Sequence, residues 1–141
     1  MRSLILLGLA TALATSACDD RSYREIGQAI DVLVKRTNDL PGPAIERLRR
    51  IGRRAVPQIE TAMHTASPRG KVNLVTALEA IGEPESAAIL QHFAVYDASP
   101  EVRQACEQVL AKWAAGNDSR TQPAKHALAR ISEKRRLGLA E

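Results

Sequence analysis

The residues of this 141-residue chain that could carry chemistry are few: three histidines, two cysteines and a run of arginines. His64, His92 and His126 stand 28 and 34 residues apart. Metal ligands on one helix recur at i and i+3 or i+4. No pair of these histidines has that spacing, so all three read as solvent-facing helix residues, and no metal or cofactor is expected. Cys106 falls on an apolar helical stripe. A reactive thiolate needs an electropositive, partly exposed setting, whereas a thiol among apolar neighbours behaves as a small hydrophobe. Cys106 is therefore expected to be buried and free. The chain contains no glycine-rich phosphate loop, nucleophile elbow or paired carboxylates, and it is not expected to be an enzyme.

Cys18 has a different setting. Arg2 precedes an apolar run beginning Leu4-Ile5-Leu6-Leu7-Gly8-Leu9-Ala10, and the small residues Thr15-Ser16-Ala17 lead to the cysteine. A basic start, a short apolar run and a small-residue end mark an export signal, and the run is too short to span a bilayer comfortably. Residues 1–17 are thus set apart from a single domain at 18–141. The segment ending Ser16-Ala17-Cys18 resembles the lipobox of bacterial lipoproteins, with Thr15 where that pattern usually has leucine. The resemblance implies that the Cys18 thiol takes a diacylglycerol and becomes the first mature residue. A further amide-linked chain such as palmitate then gives firm anchoring, which one acyl chain does not. The other reading is ordinary cleavage at the same bond, leaving a soluble protein. Acylated, Cys18 leaves Cys106 without a disulfide partner. Asp19 resembles the signal that retains enterobacterial lipoproteins in the inner membrane. The expected location is therefore the outer, periplasmic face of the cytoplasmic membrane, with the outer membrane or a secreted soluble form as alternatives.

Charge is distributed in blocks. Residues 18–43 carry a net −1, residues 44–78 carry +5, residues 79–107 carry −5, and residues 108–141 carry +4. One reading is complementarity between neighbouring segments of a stack, worth little for each exposed pair. The other is a basic patch at Arg47, Arg49, Arg50, Arg53 and Arg54 facing anionic lipid or an acidic partner. Nucleic acid is not an expected partner for an exported chain.

The elements that must position these residues follow from a repeat. Leu48-x-x-Ile51-Gly52 recurs as Leu78-x-x-Ile81-Gly82, and the apolar run at Ile59 recurs at Ile89, each at an offset of 30 residues. Two landmarks at one offset point to stacked helical hairpins. Aromatic residues are only 3% of the chain, so the core must be built from Ala, Leu, Ile and Val, which suits close-packed helices. A first helix at about 22–37 is expected, with Asp19-Asp20-Arg21 as a tether and Ser22 with Glu25 as a capping box. Tyr23, Ile26, Ile30, Leu33 and Val34 lie on its apolar face, and Asn38-Asp39-Leu40-Pro41-Gly42-Pro43 breaks it. Hairpins follow at about 40–66, 67–97 and 98–137. Gly52 and Gly82 are expected at C-caps, Ser67-Pro68 and Ser99-Pro100 at helix starts, and Glu83-Pro84 at the start of the second partner helix. Ser67 to Ser99 is 32 residues rather than 30, which suggests a longer connection around Tyr96-Asp97-Ala98. The last helix, from about Gln122, is expected to cap the stack with a polar outer face.

The run Asp97-x-Ser99-Pro100-Glu101-Val102-Arg103 and the Ala77-Leu78-x-x-Ile81-Gly82-x-Pro84 stretch resemble HEAT repeats, in particular the short form named after phycobilisome lyases. The resemblance implies an all-α, short right-handed α-solenoid of helical hairpins. It also implies that Asp97 and Arg103 help tie neighbouring repeats, with Thr65 and Lys71 in the corresponding places one repeat earlier. The expected function is a non-enzymatic binding or scaffold module held to the cell envelope through Cys18, its partner an unknown envelope protein. Alternatives are an accessory subunit that positions an envelope enzyme and a basic membrane-surface module. The partner-binding residues are expected on the second helices, at Gln58, Thr61, His64, Thr65 and Gln91, or on the basic face at Arg47, Arg50, Arg53 and Arg54.

Overall fold

A computed structural model describes the backbone of residues 12–35 and 40–138, with side chains from Asp20 onward. The apolar start of the export segment, the Cys18 side chain and the Asn38-Asp39 break lie outside the described residues. Those residues form α1 (Ala12–Lys35), α2 (Gly42–Ile51), α3 (Val56–Met63), α4 (Pro68–Ile81), α5 (Ser86–Tyr96), α6 (Pro100–Ala114) and α7 (Thr121–Arg136), with a 3-10 turn at Gly52–Ala55 and no strand among them. Helices α2, α4 and α6 pack side by side as one layer, α5 and α7 form the second, and α1 lies against α2, α3 and α4. The chain is an all-α solenoid of helical hairpins.

Local chemistry explains most of the boundaries. Gly52 and Gly82 take φ of +70° and +73°, and each sends its N–H to the carbonyl four residues back, on Leu48 and Leu78. A β-carbon is disfavoured there, so glycine ends both first helices. Ser67 Oγ accepts from the Gly70 N–H at 3.2 Å, with Pro68 next in the first turn. Gly70 also lets α1 approach: a β-carbon there would lie 3.3 Å from Val34 Cα. Beside it, Asn73 Nδ2 donates to the Leu33 carbonyl at 3.0 Å, fastening α4 to the last described turn of α1. One apolar cluster runs from Ile26 to Ile131, with Leu33, Leu48, Ile59, Met63, Leu74, Leu78, Leu90 and Leu110 fully buried. At about 1.5–3 kcal/mol for each large side chain removed from water, this stripe dominates stability. Only Phe93 and Trp113 add aromatic bulk to it.

Several expectations need correction. Among the described residues helix α1 runs from Ala12, so Asp19-Asp20-Arg21 is helical rather than a tether, and Ser22 lies inside the helix, where it cannot act as an N-cap. Good helix formers, Ala12-Leu13-Ala14, carry the ladder through this region. Tyr23 is exposed, because the buried stripe of α1 starts one turn later, at Ile26. Helix α5 starts at Ser86, two residues after Pro84, and Ser99 makes no side-chain cap. Asp97 Oδ1 instead accepts from the Ser99 N–H at 2.9 Å. The extra length of the second hairpin is not in its connection: α5 has 11 residues where α3 has 8. Val34, expected on the apolar face of α1, and the repeat landmarks Ile51 and Ile81 are half-buried at the edge of the cluster.

The charge blocks bond to each other. Arg53 reaches Glu85 at 2.7 Å and Lys71 reaches Asp97 at 2.5 Å, joining the +5 block to the −5 block. Lys112 reaches Glu79 at 2.6 Å and Arg135 pairs with Glu107, joining the −5 block to the +4 block. Sign alternation along the sequence is neighbour complementarity in the stack. Lys71 occupies the place where the repeat pattern uses arginine, and it still closes the inter-repeat tie. Arg103 completes the tie by donating to the Asp97 carbonyl at 2.6 Å.

Candidate functional site: the second-helix face and the arginine edge

Three second helices, α3, α5 and α7, bring polar and aromatic side chains into one row. His64, at the C-cap of α3, has its ring centroid 6.0 Å from that of His92 on α5. Both imidazoles lean on Phe93, at 5.2 Å and 5.3 Å, the second edge-on. His92 then contacts Tyr96 at 5.2 Å. The Lys134 ammonium of α7 lies 4.4 Å above the Tyr96 ring and also donates to a phenol oxygen, that of Tyr96 itself. His64, His92 and Tyr96 are exposed, although Tyr96 is a large aromatic ring 51% open to solvent. Apolar ring faces, imidazole N–H groups and an ammonium in one row suit a segment that offers carboxylates and flat or apolar side chains.

The expected residues on this face divide. Thr61 is exposed, but its hydroxyl donates back to the Pro57 carbonyl at 3.0 Å. Thr65 is exposed too, whereas Gln58 and Gln91 are half-buried. His64 alone among them joins the row. Spacing set His92 aside with the other histidines and gave Tyr96 and Lys134 no site role, because equivalent positions under a 30-residue offset are not the positions that touch. The two histidines meet where the C-cap of α3 comes beside α5.

The basic stretch divides as well. Glu46 takes Arg49 at 2.7 Å and lies 4.0 Å from Arg50, and the hydrogen bond from Arg49 holds the Glu46 carboxyl below its ordinary range. Arg53 is committed to Glu85 at 2.7 Å. Arg54 is exposed and makes no ion pair among the described residues. Arg47 lies apart from these, in a polar groove with Arg21, Arg24, Glu25 and Gln28 of α1. The five arginines are therefore not one patch.

Cys106 is buried and free. Burial, aided by the carboxylates of Asp97 and Glu107, pushes its thiol up to about 12. At the far end of the stack, the Arg120 side chain and backbone hold the Asp118 carboxyl down at about 2. Among the described residues no three His, Cys, Asp or Glu side chains are grouped to hold a metal ion. No helix among them is long and apolar enough to cross a membrane.

Stacked hairpins tied by ion pairs, of which Lys71–Asp97 is largely buried, with an exposed row along the second helices, define an α-solenoid of the scaffold class. The HEAT repeats family matches residues 29–111, more than half of the chain, and the protein belongs to that family. Its members are commonly protein-interaction scaffolds and generally non-catalytic. Neither the comparison with curated proteins nor that with solved structures returns a match.

Proposed function

We propose that this protein is a non-enzymatic scaffold of the bacterial cell envelope, held by lipid on Cys18 to the outer face of the cytoplasmic membrane. Its partner is an envelope protein that docks on the second-helix face. The observation that carries the docking surface is the row His64, His92, Tyr96 and Lys134, which crosses three successive hairpins. A partner segment laid across it would touch every repeat, and the polar bridges behind it keep the repeats in register. The short, phycobilisome-lyase-like form of the repeat suits this reading, because its compact hairpins leave the second-helix face open. The anchor rests on the Ser16-Ala17-Cys18 pattern after an apolar run.

Two experiments test the two halves. Site-specific photocrosslinking from Gln91, which borders the row, is expected to trap one discrete envelope protein. Combined Tyr96→Ala and Lys134→Ala should abolish that product while helical content is kept. An unchanged product, with loss only on charge reversal at Arg50 and Arg54, would move the site to the basic face. For the anchor, Cys18→Ser should release the protein or leave an uncleaved precursor. A mutant processed after Ala17 that resists alkaline and high-salt washing as the wild type does would sink the lipid reading.

A further inference from the structure

We propose that the groove between α1 and α2, lined by Arg21, Arg24, Glu25, Gln28 and Arg47, binds the phosphate of an anionic phospholipid headgroup. This deepens the membrane-anchor reading and rests on it for the source of the ligand. The groove encloses about 550 Å³ and is open to solvent. Arg24 holds Asp20 at 2.9 Å, with both side chains largely exposed. Arg21 and Arg47 make no ion pair among the described residues. That distinguishes Arg47 from Arg49 and Arg53, each engaged by a glutamate at 2.7 Å. Two uncommitted guanidiniums facing one cleft, with Arg24 beside them and the Gln28 amide as a further donor, form a fork suited to phosphate oxygens. Glu25 is the single carboxylate of the lining, so the groove stays net positive.

Position selects a lipid as the source. Cys18 precedes Arg21 by three residues and Arg24 by six on the continuous helix α1. At 1.5 Å per residue, those arginines lie about 4.5 Å and about 9 Å along the axis from the acylated residue. The polar interfacial layer of one leaflet is about 5–8 Å thick. An acylated Cys18 therefore holds the Arg21 end of the groove at headgroup depth, with Arg24 at the outer edge of that layer, where anionic lipid headgroups are concentrated. Spacing supports the same orientation: Cys18, Arg21, Glu25 and Gln28 follow at 3, 4 and 3 residues, the register of one helical face.

The test uses residues 19–141, which keep every buried core side chain from Ile26 to Ile131. Cosedimentation is measured with vesicles of phosphatidylcholine alone and of phosphatidylcholine mixed with phosphatidylglycerol. Binding is expected only to the mixed vesicles and should weaken with salt. Arg21→Gln with Arg47→Gln should weaken partitioning about 30-fold, about fivefold for each charge. Arg130→Gln with Arg136→Gln on α7 removes equal charge elsewhere and should change it little. Circular dichroism of both variants checks that the fold survives. Equal losses in the two double variants would make the attraction diffuse and overturn the site. Equal binding to neutral vesicles, or an unaffected Arg21/Arg47 variant, would overturn it too. Saturable calorimetric binding of inorganic phosphate that the Arg21/Arg47 variant loses would reassign the groove to a free anion and overturn the lipid assignment. The anchor is read separately, from the acyl mass on Cys18 of the membrane-extracted full chain, so the failure of one reading is distinguishable from the failure of the other.

Discussion

Lys71→Met should be among the most damaging single changes at the surface of the solenoid. The Asp97 side chain is only 3% exposed and the Lys71 side chain 17%, and they meet at 2.5 Å. Removing one member of such a pair leaves the other charge buried, at a cost of about 3–5 kcal/mol. Two features lower the loss. Asp97 keeps the Ser99 N–H at 2.9 Å, and a methionine can pack on the Phe93 ring, 5.7 Å from which the ammonium now sits. We therefore expect about 3 kcal/mol, a large share of the about 5–15 kcal/mol that holds a domain folded. Asp97→Asn should cost less, about 1–2 kcal/mol, since its amide oxygen still accepts from Ser99 and the less buried lysine can turn to water. The double variant should lose less than the sum of the two, the signature of direct coupling. Urea unfolding followed by helical circular dichroism measures all three. A Lys71→Met variant within about 1 kcal/mol of wild type, or an Asp97→Asn change that costs more than Lys71→Met, would refute the buried-tie reasoning.

The remaining predictions concern the core and the caps. Cys106, with its thiol raised from 9.0 to about 12 in the folded state, should resist a bulky thiol reagent until the protein unfolds. The unfolded thiol ionises first, so stability should fall as pH rises from about 9 to about 12, by on the order of 4 kcal/mol, and Cys106→Ala should remove that component. Gly52→Ala should cost more than Gly82→Ala: Gly52 combines φ +70° with ψ −142°, a region nearly confined to glycine, whereas Gly82 at φ +73°, ψ +23° is ordinary left-handed backbone. About 1–3 kcal/mol for the first and about 1–2 kcal/mol for the second should appear in thermal unfolding, and Gly82→Asn should recover part of the loss. The Ser86 hydroxyl is buried with no hydrogen-bond partner. Ser86→Ala should therefore be neutral or stabilising by up to about 1 kcal/mol in the same assay.

What the sequence determined by itself is the architecture and its punctuation. The 30-residue offset between Ile51 and Ile81, the glycines that end α2 and α4, the Ser67 cap and the burial of Cys106 all follow from short-range rules. A cap is made by residues within one turn, and an apolar stripe repeats with the helix, so both are legible without knowing what packs where. The charge blocks were legible too, with complementarity as one of two readings, but which residue would meet which was not. Tertiary structure decided the sites. His64 meets His92, 28 residues away, where the C-cap of α3 comes beside α5. Lys134 reaches Tyr96 across 38 residues, and Arg47 shares a groove with Arg21 and Arg24. Such neighbours depend on the length, stagger and tilt of whole helices, small quantities summed over the stack that no local pattern carries. Helix α1 shows the same limit: a plausible capping box at Ser22 lost to a ladder that continued through it, because propagating a helix costs less than ending and restarting one.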